Sequence, residues 1–266
     1  MREQIKSIWP DELREYFKQH NENDYLLVDV RQPKEYAKEH IPGAQLVPLK
    51  TLTNALPDLP AGKDLIFYCA KGVRSRVAAD FCADSGFDPQ KMYSLMGGIS
   101  AWEGVVLPDY PKVKYFEDLP ELADLIPMAM NLEKGAFLFY SAMIEKFATI
   151  PMAAELEKIA GMETAHARTL YGFLNRESGF QDYFNNLAGD IIEGGMSLKE
   201  ACQKLDDLPG DSIINALEMA LAIEYSAYDL YRSLANSYAG DKAEKFLNLS
   251  QAEKGHIQLI AQLFES

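Results

Sequence analysis

The chain has 266 residues with 26 Lys and Arg against 40 Asp and Glu, a net charge of −14 that makes nucleic acid and anionic membrane surfaces poor partners. It holds no run of about 18 apolar residues, and its first ten residues lack the apolar core of a leader, so no membrane association and a cytoplasmic location are expected. Cys69, Cys82 and Cys202 form no CxxC pair, which argues against a disulfide framework and against zinc or iron held by cysteine.

The length suffices for two domains, each with its own core. Pro10 followed by Asp11 to Phe17 reads as a short amphipathic helix. The period then changes. Tyr25 to Val30 is a near-continuous apolar run of strand length, 63–68 and 92–95 are further strands, and helical segments are expected at 76–85 and 100–104. Strands alternating with helices imply a parallel, helix-covered sheet, an α/β domain over residues 1–110. Leu107-Pro-Asp-Tyr-Pro111, with two prolines and no period, places the domain boundary between about 106 and 116.

The chemistry of this half gathers at Cys69-Ala-Lys-Gly-Val-Arg-Ser75. A cysteine at the C-terminal end of a strand, followed by a tight loop and a helix, sits among inward N–H groups at the positive end of the helix dipole, where a thiolate is stabilised. Gly72 lets the loop curl with positive φ, and Lys71, Arg74 and Arg76 add positive charge, so an anionic group is expected there. Together with Asp29-Val-Arg31, Glu35-Tyr36, His40-Ile-Pro-Gly-Ala44, Gly97-Gly98 and Trp102, in that order and spacing, the segment resembles the rhodanese-like sulfurtransferases over roughly the first 105 residues. The resemblance implies that Cys69 takes the outer sulfur of thiosulfate, or of another sulfane-sulfur donor, as a persulfide and passes it to a thiol or cyanide acceptor. It also implies that Lys71, Gly72, Arg74 and Ser75 hold the anion while Asp29 and Arg31 support the loop from beneath. Cysteine phosphatases of related architecture place an Arg six residues after the nucleophile; here the separation from Cys69 to Arg74 is five, and the shorter loop suits sulfur better than phosphate. The alternative, a structural thiol in a degenerate copy of the fold, is opposed by Gly72, Arg74 and Ser75.

Beyond the boundary the pattern is helical, an all-α domain over residues 116–266. Apolar residues recur at helical spacing from Leu119 to Ala148, Pro151 opens a second helix reaching about Arg176, Asp211-Ser212 caps a third reaching Tyr238, and Asp241 caps a fourth. The less periodic stretch 180–210 carries one or two short helices that return the chain across the bundle. Glu163-x-x-His166 and Glu253-x-x-His256 each set a carboxylate and an imidazole on one helix face. Upstream of each stands a lone Glu in an apolar stretch, Glu133 and Glu224, at separations of 30 and 29 residues from the later Glu. A Glu buried in such a helix needs a partner, and the duplicated helix pair supplies half a metal site twice.

One Glu on each of the first and third helices and a Glu-x-x-His on each of the second and fourth is the ligand set of ferritin-like di-iron carboxylate bundles. Residues 117–266 resemble the rubrerythrin branch of that superfamily. The resemblance implies two irons, with manganese as the alternative, held by Glu133, Glu163, His166, Glu224, Glu253 and His256 and reacting with peroxide or O2. Tyr140 and Tyr231 fit it too, each two turns beyond a lone Glu and able to hydrogen-bond a ligand carboxylate; the plain alternative is that both are core. The chain departs from rubrerythrins in two respects. Ala227 stands where another ligand Glu would follow Glu224, and no cysteine-ligated iron domain is present, so an external electron donor is expected. A homodimer or higher homo-oligomer is expected as well. The fusion suggests a joint task in sulfur and oxidative-stress chemistry. A bundle that stores, senses or delivers iron, with the rhodanese domain supplying sulfur or docking a partner, is the other class of reading, and a metal-free interaction bundle the third.

Overall fold

Leu65, Ile66 and Phe67 are apolar in succession and fully buried, which requires a strand covered on both faces. They form the middle of β4 (Asp64–Tyr68) in a computed structural model that describes residues 5–87, 89–111, 122–149, 151–174, 179–210 and 212–264. The sheet is completed by β1 (Ile5–Ile8), β2 (Tyr25–Asp29), β3 (Gln45–Leu46) and β5 (Met92–Leu95), all parallel, in the order β1-β5-β4-β2-β3. Helices α1 (Pro10–Gln19), α2 (Pro33–Lys38), α3 (Leu52–Ala55) and α4 (Val73–Asp84) alternate with the strands. Two apolar layers result. Leu26, Val28, Leu65, Phe67, Ala78, Ala79 and Cys82 pack together, as do Leu13, Leu27, Ile66, Tyr68 and Leu95. Cys82 is therefore core, and burial pushes its thiol up to about 11.

The helix expected at 100–104 is instead a 3-10 turn over Gly98–Ala101. Gly97 and Gly98 both take positive φ, 73° and 60°, which starts the turn early, and Trp102 leaves it in extended conformation.

By its contacts the chain separates into two compact units, residues 1–110 with 231–251, and residues 111–230 with 252–266. The helical part comprises α5 (Leu122–Lys146), α6 (Ala153–Tyr171), α7 (Phe180–Asn185), α8 (Leu198–Asp206), α9 (Ile213–Ser237) and α10 (Asp241–Leu263). The expected start of the first helix at Leu119, the end of the second near Arg176, and Asp211 lie outside the described residues. Phe139, Met143, Leu156, Ile159, Leu217, Ala220 and Ile260 build the core of the second unit. None of the helices among the described residues is long and apolar enough to cross a membrane.

Within the first unit Arg232, 1% exposed, is the largest fully buried side chain. Its guanidinium donates to the backbone oxygens of Glu22 and Tyr25, each at 2.7 Å, and lies 3.3 Å from the buried Glu22 carboxylate. Removing one partner of such a pair leaves an uncompensated charge away from water, a loss of about 3 to 5 kcal/mol. Arg232→Ala is accordingly expected to lower the urea midpoint of the sheet-containing unit sharply, while Lys242→Ala, on an exposed position, leaves it within error; equal midpoints for the two variants would contradict the pairing.

Candidate functional site

Cys69 follows the central strand β4, and the loop turns directly into α4. Gly72, at φ 93°, is the residue that makes the turn and caps the helix. Its N–H donates to Cys69 Sγ at 3.1 Å, and the Ser75 hydroxyl lies 3.7 Å from the same sulfur. Ser75 is itself held by the Gly72 carbonyl at 3.0 Å and by the Ser94 hydroxyl at 2.9 Å. Burial pushes the Cys69 thiol up, but the N–H and hydroxyl of Ser75 with the N–H groups of Lys71 and Gly72 outweigh it, and the thiol lies below its ordinary value. The opposite wall is backbone. Ile99 N–H donates to the Cys69 carbonyl at 2.8 Å, and a Cβ on Gly98 would stand 2.2 Å from that oxygen, so only glycine fits.

Asp29 and Arg31 form a buried fork at 3.0 and 2.7 Å, and Arg31 also donates to the Glu39 carbonyl at 2.6 Å. The Arg31 guanidinium lies over the Tyr68 ring, 5.5 Å from its centre, which ties the pair to the end of β4 just before Cys69. Both terminal nitrogens of Arg74 donate to Glu35, at 2.8 and 2.7 Å. That hydrogen-bonded fork holds the Glu35 carboxyl down at about 2. Lys71 is exposed beside the loop. Glu35 as the partner of Arg74, and Ser94 as the support of Ser75, were not singled out in sequence, because both contacts join residues far apart in the chain.

In the second unit Glu133 stands on α5, Glu163 and His166 on α6, Glu224 on α9, and Glu253 and His256 on α10. All six are buried. His166 Nδ1 lies 2.9 Å from Glu253, 3.4 Å from Glu133 and 3.6 Å from Glu163, while His256 Nδ1 lies 2.9 Å from Glu224 and 3.3 Å from each of Glu163 and Glu253. The rings stack with centres 4.8 Å apart. Glu163 and Glu253 thus each turn one oxygen to each imidazole, whereas Glu133 meets His166 and Glu224 meets His256. Tyr140 donates to Glu224, so its hydroxyl reaches a carboxylate of the cluster. Tyr231 belongs to the first unit, where it is equally buried and stacks on Phe246, ring centres 6.4 Å apart.

Burial raises Glu133 and Glu224 to about 8, while the imidazoles hold Glu163 and Glu253 low in spite of burial. The surrounding carboxylates overcome burial at both imidazoles and hold them above their ordinary range. Neither oxygen of Glu253 takes part in a hydrogen bond, and neither does His166 Nδ1. Donor atoms of Glu163, His166, Glu253 and His256 lie within 4.8 Å of one another, a buried set of carboxylates and imidazoles of the kind that holds cations. The donor set fits a pair of metal ions. Glu193, not singled out in sequence, is also buried, and its Oε2 has no hydrogen-bond partner.

The family model described as "Rhodanese-like domain" matches residues 10–104, and that described as "Rubrerythrin" matches residues 215–266. A "Sulfurtransferase" of Allochromatium vinosum is 35% identical over 85 residues, 32% of this chain and 78% of that protein. A "Probable adenylyltransferase/sulfurtransferase MoeZ" of Mycobacterium tuberculosis is 39% identical over 106 residues, 39% of this chain but 26% of that protein, so this chain spans only a minor part of that relative's length. The "Thiosulfate:glutathione sulfurtransferase" of Saccharomyces cerevisiae is 30% identical over 111 residues, 37% of this chain and 78% of that protein.

Because the loop stabilises the thiolate, Cys69 should react with iodoacetamide with a midpoint below pH 9, the ordinary thiol value. Ser75→Ala removes the hydroxyl and should move that midpoint upward. A midpoint at or above 9 in the wild type would contradict the reading of the loop.

Proposed function

Given a chain that belongs to the rhodanese-like sulfurtransferase family through its N-terminal domain and carries a rubrerythrin domain behind it, we propose that Cys69 transfers sulfane sulfur while the helical domain holds a di-iron centre that reacts with peroxide or O2. The observation that carries the first half is the Cys69 sulfur under the Gly72 N–H at the head of α4. The Cys69 thiolate attacks the outer sulfur of thiosulfate; the S–S bond breaks and sulfite leaves with its electron pair. An acceptor thiolate then attacks the outer sulfur of the Cys69 persulfide, taking that sulfur and returning Cys69 to thiolate. The N–H groups of Lys71, Gly72 and Ser75 bear the negative charge at both stages. Asp29 and Arg31 keep the loop in place, and Arg74, held by Glu35, sets the positive rim that admits an anion. Thiosulfate as donor and a thiol as acceptor match the name of the yeast relative.

For the second half, each imidazole pairs with one private and two shared carboxylates, which supports a reading in which Glu133 and His166 would hold one metal, Glu224 and His256 the other, and Glu163 and Glu253 would serve both. A bound iron pair supplies two-electron chemistry with peroxide or O2. Tyr140 orients Glu224 through its hydroxyl.

Cys69→Ser is expected to abolish thiosulfate-dependent thiocyanate formation and to leave iron content unchanged, whereas Glu163→Ala should do the reverse. Loss of both properties in either variant would contradict two separate sites. Peroxide added to the ferrous protein in a stopped-flow instrument should give repeated oxidation when a reductant is present; a single slow oxidation with retained ferric iron would replace the enzymatic reading by storage. Ferrous binding at pH 7 is also expected to release protons, because Glu133 and Glu224 lie at about 8 and the imidazoles above their ordinary value until metal displaces the protons. Affinity then falls as the pH is lowered. Binding without proton release in two buffers of different ionisation enthalpy would contradict that charge state.

A further inference from the structure

We propose that Glu193, supplied by the connection between α7 and α8, is a seventh protein ligand of the metal centre. The proposal rests on the di-iron reading and adds a residue that the helix pattern does not contain. Glu193 is 4% exposed, and its Oε2 has no hydrogen-bond partner. A carboxylate is rarely withdrawn from water without a cation or a donor to receive it.

The local backbone explains how it comes to be there. Ile191 and Ser197 bridge antiparallel, Ile192 N–H donates to the Met196 carbonyl at 2.9 Å, and Gly195 N–H to the Ile192 carbonyl at 3.0 Å. Gly194 and Gly195, at φ 81° and 76°, close the turn that carries Glu193. The turn is pressed against α5 at Gly135, where a Cβ would stand 2.2 Å from the Ile191 carbonyl oxygen. Gly135 lies within one turn of Glu133 along α5, so the close approach seats the turn at the same level of the bundle as the cluster. Glu133, Glu163 and Glu253 are the charges that act on Glu193. Glu193 also lines a cavity of about 270 Å³ with Ile192, Met196, Met219 and Ile223.

Charge counting gives the ligand a purpose. Four carboxylates and two neutral imidazoles balance two divalent ions; one further carboxylate balances a trivalent ion in the pair. Glu193 should therefore raise affinity and favour the oxidised metals.

The test is an anaerobic Fe(II) titration of the full-length apo chain by calorimetry, with the reduction potential of the loaded pair measured in parallel, for wild type, Glu193→Gln and Glu163→Ala. Glu193→Gln is expected to bind at least one iron about tenfold or more weakly and to shift the potential upward. Unchanged affinity and potential in Glu193→Gln, with iron binding lost in Glu163→Ala, would overturn this inference and leave the di-iron reading standing. A wild-type chain that takes up no iron would overturn both. Should Glu193→Gln fail to fold, iron-edge anomalous diffraction from the wild type decides the matter, since a Glu193 oxygen within bonding distance of a metal is required.

Discussion

Four carboxylates and two imidazoles removed from water at one point between α5, α6, α9 and α10 set the terms for the helical unit. Withdrawing each ionised group costs several kcal/mol even after relaxation, and packing alone cannot recover it. Protons offset part of the cost in the metal-free chain, which is why Glu133 and Glu224 are raised while Glu163 and Glu253, facing both imidazoles, stay low. Two divalent cations would offset it more fully, because they balance four negative charges without asking any ligand to keep a proton.

The Cys69 loop solves the opposite problem by different means. Its charge is a single sulfur anion, and the compensation is partial charge on N–H groups at the start of α4 with one hydroxyl, fixed in place by two consecutive left-handed glycines across the loop. Among the described residues no charged side chain hydrogen-bonds the sulfur. Of the positive charges around the loop, Arg74 is paired with Glu35 and Lys71 is exposed beside the loop.

Much of this was legible in the sequence where the signal is periodic or local. The Cys69 loop reads directly because a strand, a glycine and a helix follow one another within a few residues. The six clustered side chains read from helical spacing repeated twice, and the structure brings them together. What was not legible depends on contacts between distant segments. Glu193 lies in Ile-Ile-Glu-Gly-Gly, a turn sequence with no helical period, and its burial is decided by the missing Cβ of Gly135 on another element. Arg232 looks like any charged residue near a helix end until its partners, Glu22 and Tyr25, are placed beside it. The short strands β1 and β3, four and two residues long, carry too few side chains for an apolar pattern to register. The helix expected at 100–104 was displaced by Gly97 and Gly98, whose positive φ values are a backbone property and leave no mark in hydrophobic spacing.

Anomalous diffraction at the iron edge from crystals of the full-length chain, grown after anaerobic iron loading, tests the central claim most directly. Two peaks are expected, one beside His166 and Glu133 and the other beside His256 and Glu224, with Glu163 and Glu253 reaching both. No peak among these six residues, or iron bound elsewhere in the chain, would contradict the account.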